Sequence, residues 1–130
     1  MMNPEYRNVC FKLEEFELPP TFAIITAHNP DGLTQPDPAN QDADEALRLL
    51  ITATGLPHFR ITGMSRDEVH QEPGWGIACS KNVAIAWGKQ CEQQAIFWVE
   101  QGELILVDLV NLAAIKLGAF SKFLKPELLK

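Results

Sequence analysis

A chain of 130 residues, 46% of them apolar and with no internal repeat, has the size and composition of one domain that buries an ordinary core without staples. Its formal charge of −6 and isoelectric point near 5.0 argue against a nucleic-acid partner, because phosphate binding is driven by clustered Lys and Arg and the eleven here are scattered. The odd cysteine count (Cys10, Cys79, Cys91) without a C-x-x-C pair, the lack of a signal-peptide pattern, and a longest apolar run of only Ala95 to Val99 predict a soluble cytoplasmic protein, with reduced thiols and no membrane span.

Val9 to Phe16 alternates roughly, with Val9, Phe11 and Leu13 apolar, and reads as an edge strand leading to Pro19 and Pro20. Phe22 to Ala27 carries no charge on either face. Phe22, Ile24 and Thr26 share one side and Ala23, Ile25 and Ala27 the other, the pattern of a central strand covered on both sides. Asn29 precedes a proline, which favours extended backbone, and Pro30-Asp31-Gly32 supplies a tight turn. His28 to Ala39, with Pro30, Pro36, Pro38 and Gly32, reads as a long connection of the kind that is usually functional or mobile. Asn40 is predicted to cap a helix with Asp42, Asp44 and Glu45 in its first turn, and with Ala43, Ala46, Leu47, Leu50 and Ile51 at helical spacing, ending at Gly55 and Pro57.

His58 to Gly63 reads as a half-exposed strand with Phe59 and Ile61 inward and Arg60 and Thr62 outward. A second polar connection, Met64 to Gly74, holds Arg66, Asp67, Glu68, His70 and Glu72, and a short strand follows at Trp75 to Cys79. Ser80 caps a helix running to about Gln93, and Ala95 to Glu100 and Glu103 to Asp108 form a hairpin at Gln101-Gly102. Asn111 is predicted to cap a last helix with Leu112, Ile115, Leu117, Phe120 and Phe123, closing near Pro126. The expected class is α+β, a mostly antiparallel sheet with helices packed on it. The order after the first strand is β-α-β-β-α-β plus a hairpin strand and a C-terminal helix. It matches a ferredoxin-like split β-α-β core, and a different α+β sheet with helices on one face accommodates it too. Ile24, Leu47, Leu50, Ile61, Val83, Trp87, Ile96 and Trp98 are expected in one core between sheet and helices.

Ile25-Thr26-Ala27-His28-Asn29-Pro30, Asn40 before a helix, Glu72-Pro73, and Gln93-Gln94-Ala95-Ile96-Phe97 opening a strand together resemble the bacterial domain-of-unknown-function family 3293. The resemblance covers about Phe22 to Val107, and the Thr-Ala-x-Asn-Pro element is its most specific piece. The chain departs from the family at Cys91-Glu92, which replace an aromatic-Gly pair. The resemblance implies a bacterial source and a shared polar site. It brings no activity.

Chemistry must therefore be argued from residues. His70-Gln71-Glu72 has the H-x-E spacing of zinc deaminases, but the P-C-x-x-C element those enzymes need is missing, so a solvated loop is the better reading. His28, His58 and His70 come from separate segments, and no metal or cofactor is expected. Gly74-Trp75-Gly76 reads as a bend or bulge with Trp75 in the core, or as a wall for a planar ligand. Lys116, Lys122, Lys125 and Lys130 read as the solvated face of the last helix, a surface also compatible with a homodimer.

The candidate ligand-binding set is Thr26, His28, Asn29, His70, Glu72, Trp75 and Gln93, contacting a polar small molecule or a protein partner. One alternative is a hydrolase or transferase with Glu72 or His70 as general base; another is an interaction protein whose polar motifs only hold loops. The sharpest expectation is geometric. Asn29, with two amide donors, and Glu72, with acceptors alone, should meet at one end of the sheet beneath the connection from His28 to Ala39.

Overall fold

The computed structural model describes residues 9–14, 17–30, 33–65 and 70–125. Its elements are β1 (Val9–Leu13), β2 (Thr21–Ile25), α1 (Asp37–Thr54), β3 (His58–Ser65), β4 (Gln71–Ile77), α2 (Lys81–Gln90), β5 (Ala95–Glu100), β6 (Glu103–Asp108) and β7 (Ala114–Ala119). The strands form one sheet in the order β1-β3-β4-β2-β5-β6-β7, with every neighbouring pair antiparallel. The class is thus α+β, with the sheet dominant. β2 is the middle strand, and Phe22, Ala23, Ile24 and Ile25 are all buried, as its uncharged faces require.

The two faces of the sheet bury different cores. Ala23, Ile25 and Ala27 pack with Leu47 and Ile51 of α1, and with Ala84 and Trp87 of α2. Phe22 and Ile24 pack on the other side with Phe11, Phe59, Ile61 and Phe120. On that second side the sheet curls until Phe11 of β1 pairs with Leu124, beyond the 3-10 turn Phe120–Phe123 that follows β7. Phenylalanine rings fill the curl edge to face, Phe22 against Phe59 at 5.1 Å and against Phe120 at 5.7 Å. The expected single core is therefore corrected. Leu47, Trp87, Ile96 and Trp98, with Leu50 and Val83 beside them, lie under the helices, while Ile24 and Ile61 belong to the opposite face.

Three local expectations also change. α1 starts at Asp37, so Asn40 lies inside the first turn instead of capping it, and Pro38 occupies a position where its missing N–H costs no helical bond. β4 begins at Gln71, which leaves a shorter connection after β3. Pro73 is tolerated because β2 pairing runs only to Ile25 opposite Trp75, so that side of β4 needs no donor at Pro73. The helix expected after Asn111 is instead β7 and the 3-10 turn. Asp108 Oδ1 accepts from the Val110 and Asn111 N–H groups, and Asn111 Oδ1 accepts from Ala113 N–H. These Asx-type bonds build a turn, with Leu112 in the left-handed region at φ +62°, and feed Ile115 and Leu117 into an alternating strand on β6. The expectations for Asp31, Gly32, Arg66, Asp67, Glu68, Pro126 and Lys130 lie outside the described residues.

Candidate functional site

The site grows from the C-terminal end of β2. Thr26 donates its hydroxyl to the Pro73 carbonyl at 2.8 Å and accepts from the His28 N–H at 3.1 Å, so the departing chain stays tied to β4 as it turns. Close approach here depends on Gly74, where a Cβ would stand 2.7 Å from the Ile25 carbonyl oxygen. Asn29 then takes φ +50°, contrary to the extended backbone expected before Pro30. Asparagine is among the few residues that tolerate this region, and here both its side-chain oxygen and its side-chain nitrogen are hydrogen-bonded.

Asn29 and Asn40 hold each other reciprocally. The Asn29 N–H donates to Asn40 Oδ1 at 2.8 Å, and Asn40 Nδ2 donates to Asn29 Oδ1 at 2.9 Å. Gln35 closes the ring with its N–H on Asn29 Oδ1 at 3.2 Å and its Nε2 on Asn40 Oδ1 at 2.7 Å. Asn29 Nδ2 donates to Glu72 Oε2 at 3.2 Å, so the two residues expected to meet do meet. Asn40 is buried, which explains why its amide must find partners; Asn29, Gln35 and Glu72 are half-buried. Gln93 completes the turn from the other side, its Nε2 donating to the His28 carbonyl at 3.1 Å.

Two members of the expected set lie apart from this network. His70 is exposed beside the start of β4 and is held through its backbone, its N–H on Ser65 Oγ and its carbonyl accepting from Ser65 N–H. Trp75 is buried in the helix-side core, with Arg60 stacked 3.9 Å above its ring and its indole N–H on Asp44 Oδ1 at 3.2 Å. Arg60 also binds both Asp44 oxygens, at 2.9 and 2.8 Å, and the Gly74 carbonyl at 3.3 Å. This clamp was missed in the sequence because nothing in the spacing of Asp44 and Arg60 reveals it. The only available signal was that Arg60 and Trp75 occupy facing strands, where they are direct partners.

Beside the Asn29 turn opens a cleft of about 550 Å³ between the helices. Ala27 and Pro30 line its sheet end, Ala43, Leu47 and Leu50 its α1 side, and Cys91 its α2 side. Burial pushes the Cys91 thiol up to about 11, and that of Cys79 likewise, so both are neutral thiols in ordinary buffers. Among the described residues no group of three or more His, Cys, Asp or Glu is placed to hold a metal ion, and no helix is long and apolar enough to cross a membrane.

A family model described as Protein of unknown function (DUF3293) matches residues 25–96, just over half of the chain. The chain belongs to this family. The DUF3293 stretch runs from the last residue of β2 to the start of β5, and so contains the whole Asn29 network, the Asp44 clamp and every residue lining the cleft. No curated protein matches the chain, and no solved structure does.

Proposed function

We infer that this chain is a small-ligand-binding domain whose site is the cleft at the C-terminal end of β2, with the Asn29 turn as its polar rim. The observation that carries this reading is the juxtaposition of an open, mostly apolar cleft with a turn held rigid by side-chain bonds on three sides. Ligand sites commonly combine an apolar lining with a few fixed polar groups, and the volume falls in the usual range for small molecules. The fitting ligand has an apolar body against Leu47 and Leu50 and a polar end towards Gln90 and Glu92, the polar residues that line the cleft.

Binding is favoured over general-base chemistry because Glu72 already shares an oxygen with Asn29, and His70 lies on an exposed hairpin rather than in the cleft. The chain is read as one domain around a split β-α-β core. What supports that reading is that α1 joins β2 to β3 across β4, and α2 joins β4 to β5 across β2.

A thermal-shift screen of metabolites against the intact protein tests the site, because a ligand of the native state raises the melting temperature. Ala46 lines the cleft from an exposed position on α1, so Ala46→Trp should fill the space without disturbing the core. Hits whose stabilisation disappears in Ala46→Trp support the reading. Hits that stabilise both proteins equally would overturn it.

A further inference from the structure

The geometry points to an organic cation, an amine carried on an apolar body, as the ligand class of this cleft. The inference rests on the reading of the cleft as a binding site and adds the sign of the ligand's charge. Among the described residues that line it, the one charged side chain is Glu92, and no Lys, Arg or His is present. Glu92 is exposed, and its carboxylate meets solvent at the mouth while the apolar lining lowers the local dielectric behind it.

Backbone polarity has the same sign. Gln90, the last residue of α2, and Cys91, its C-cap, both line the cleft, so the C-terminal, negative end of that helix borders it. Lys89 is exposed in the last turn of α2 and is not among the lining residues. The Cys91 thiol stays neutral and brings no competing charge. Glu92 also holds φ +56°, a region in which glycine would sit without strain.

The probes are phenylbutylamine, phenylbutanol and phenylbutyrate, which share one apolar body and differ in the charge of the end group. Titration by calorimetry and by amide chemical shifts at Ala27, Leu50 and Cys91 should find the amine tightest and the carboxylate weakest. Glu92→Gln should weaken the amine about two- to fivefold, as one solvent-facing charge pair does, and leave the alcohol unchanged. Glu92→Gly should show the same loss while raising the melting temperature, which separates lost binding from lost folding. Equal binding of alcohol and amine, or preference for the carboxylate, would overturn the cation and leave the cleft standing. No binding by any of the three would overturn the cleft and the cation together.

Discussion

Two polar clusters fasten α1 to the sheet, and they handle charge and water differently. The Asp44–Arg60–Trp75 clamp sets a bidentate ion pair on an aromatic face, with the side chains of Arg60 and Asp44 only 26% and 14% exposed. The Asn29–Asn40–Glu72 network is built mainly of neutral amides, with its central Asn40 buried and the residues around it half-open to solvent. One lies between α1 and the middle of β3 and β4; the other holds a left-handed turn at the rim of a cleft. The comparison teaches that polar satisfaction serves two ends in one helix–sheet contact. The clamp secures the packing, and the amide network fixes the shape of a surface.

Breaking the clamp should have the largest effect. Trp75→Ala removes a buried ring from the helix-side core, uncovers Arg60 and deprives Asp44 of the indole donor, so a loss of about 3–5 kcal/mol is expected in urea unfolding. A loss under about 1 kcal/mol would show that Trp75 is not a core anchor. Next comes Asp44→Asn, which preserves shape and removes the charge facing a half-buried guanidinium. Its expected cost is about 1.5–3 kcal/mol, the range for a hydrogen bond to a charged group. Neither change should abolish ligand binding at temperatures where the variant is folded.

Much of this architecture was legible in the sequence, and the misses have definite causes. The central strand was readable because both faces of Phe22 to Ala27 lack charge, and the β5–β6 hairpin because Gln101 and Gly102 supply the two left-handed residues its turn requires, at φ +51° and +77°. The meeting of Asn29 and Glu72 followed from donor and acceptor bookkeeping at one end of the sheet. The last element misled because Leu112, Ile115, Leu117, Phe120 and Phe123 satisfy a helical spacing and a strand alternation in part, and the free edge of β6 decided between them. Asn40 misled for a related reason. Its side chain caps a distant loop instead of its own helix, and a sequence cannot distinguish a local acceptor from a remote one. The split into two cores was invisible because it depends on the curl that brings Phe11 to Leu124.

The amide network can be sharpened by separating backbone strain from side-chain bonds. Asn29→Gly loses the side-chain bonds to Glu72, Gln35 and Asn40, retains the main-chain bond to Asn40 Oδ1, and keeps a backbone that accepts φ +50° freely. Asn29→Ala loses the same contacts and adds the left-handed penalty. The alanine variant should therefore be less stable than the glycine variant by about 1 kcal/mol. Equal stabilities would mean that the turn relaxes once its side-chain bonds are gone, and that the rim of the cleft is shaped by those bonds alone.

The smallest effect is expected from Glu72→Gln, and it bears most directly on the comparison. Like Asp44→Asn, it exchanges a carboxylate for an isosteric amide, so the two variants make one chemical change in the two clusters. At Glu72 the partner is a neutral amide donor, and the new side chain can offer its own oxygen to the same Asn29 Nδ2 group. What disappears is the extra strength of a charge-assisted bond in a half-exposed place, about 0.5 kcal/mol. Asp44 faces a guanidinium that the change leaves uncompensated, so its cost should be several times larger. Unfolding both variants in urea at neutral pH measures the ratio directly. If Glu72→Gln costs as much as Asp44→Asn, the carboxylate beside the Asn29 turn is a structural anchor like the clamp. A small cost, with the Asn29 amide shifts little changed, leaves Glu72 as an acceptor for the Asn29 amide whose charge the turn does not depend on.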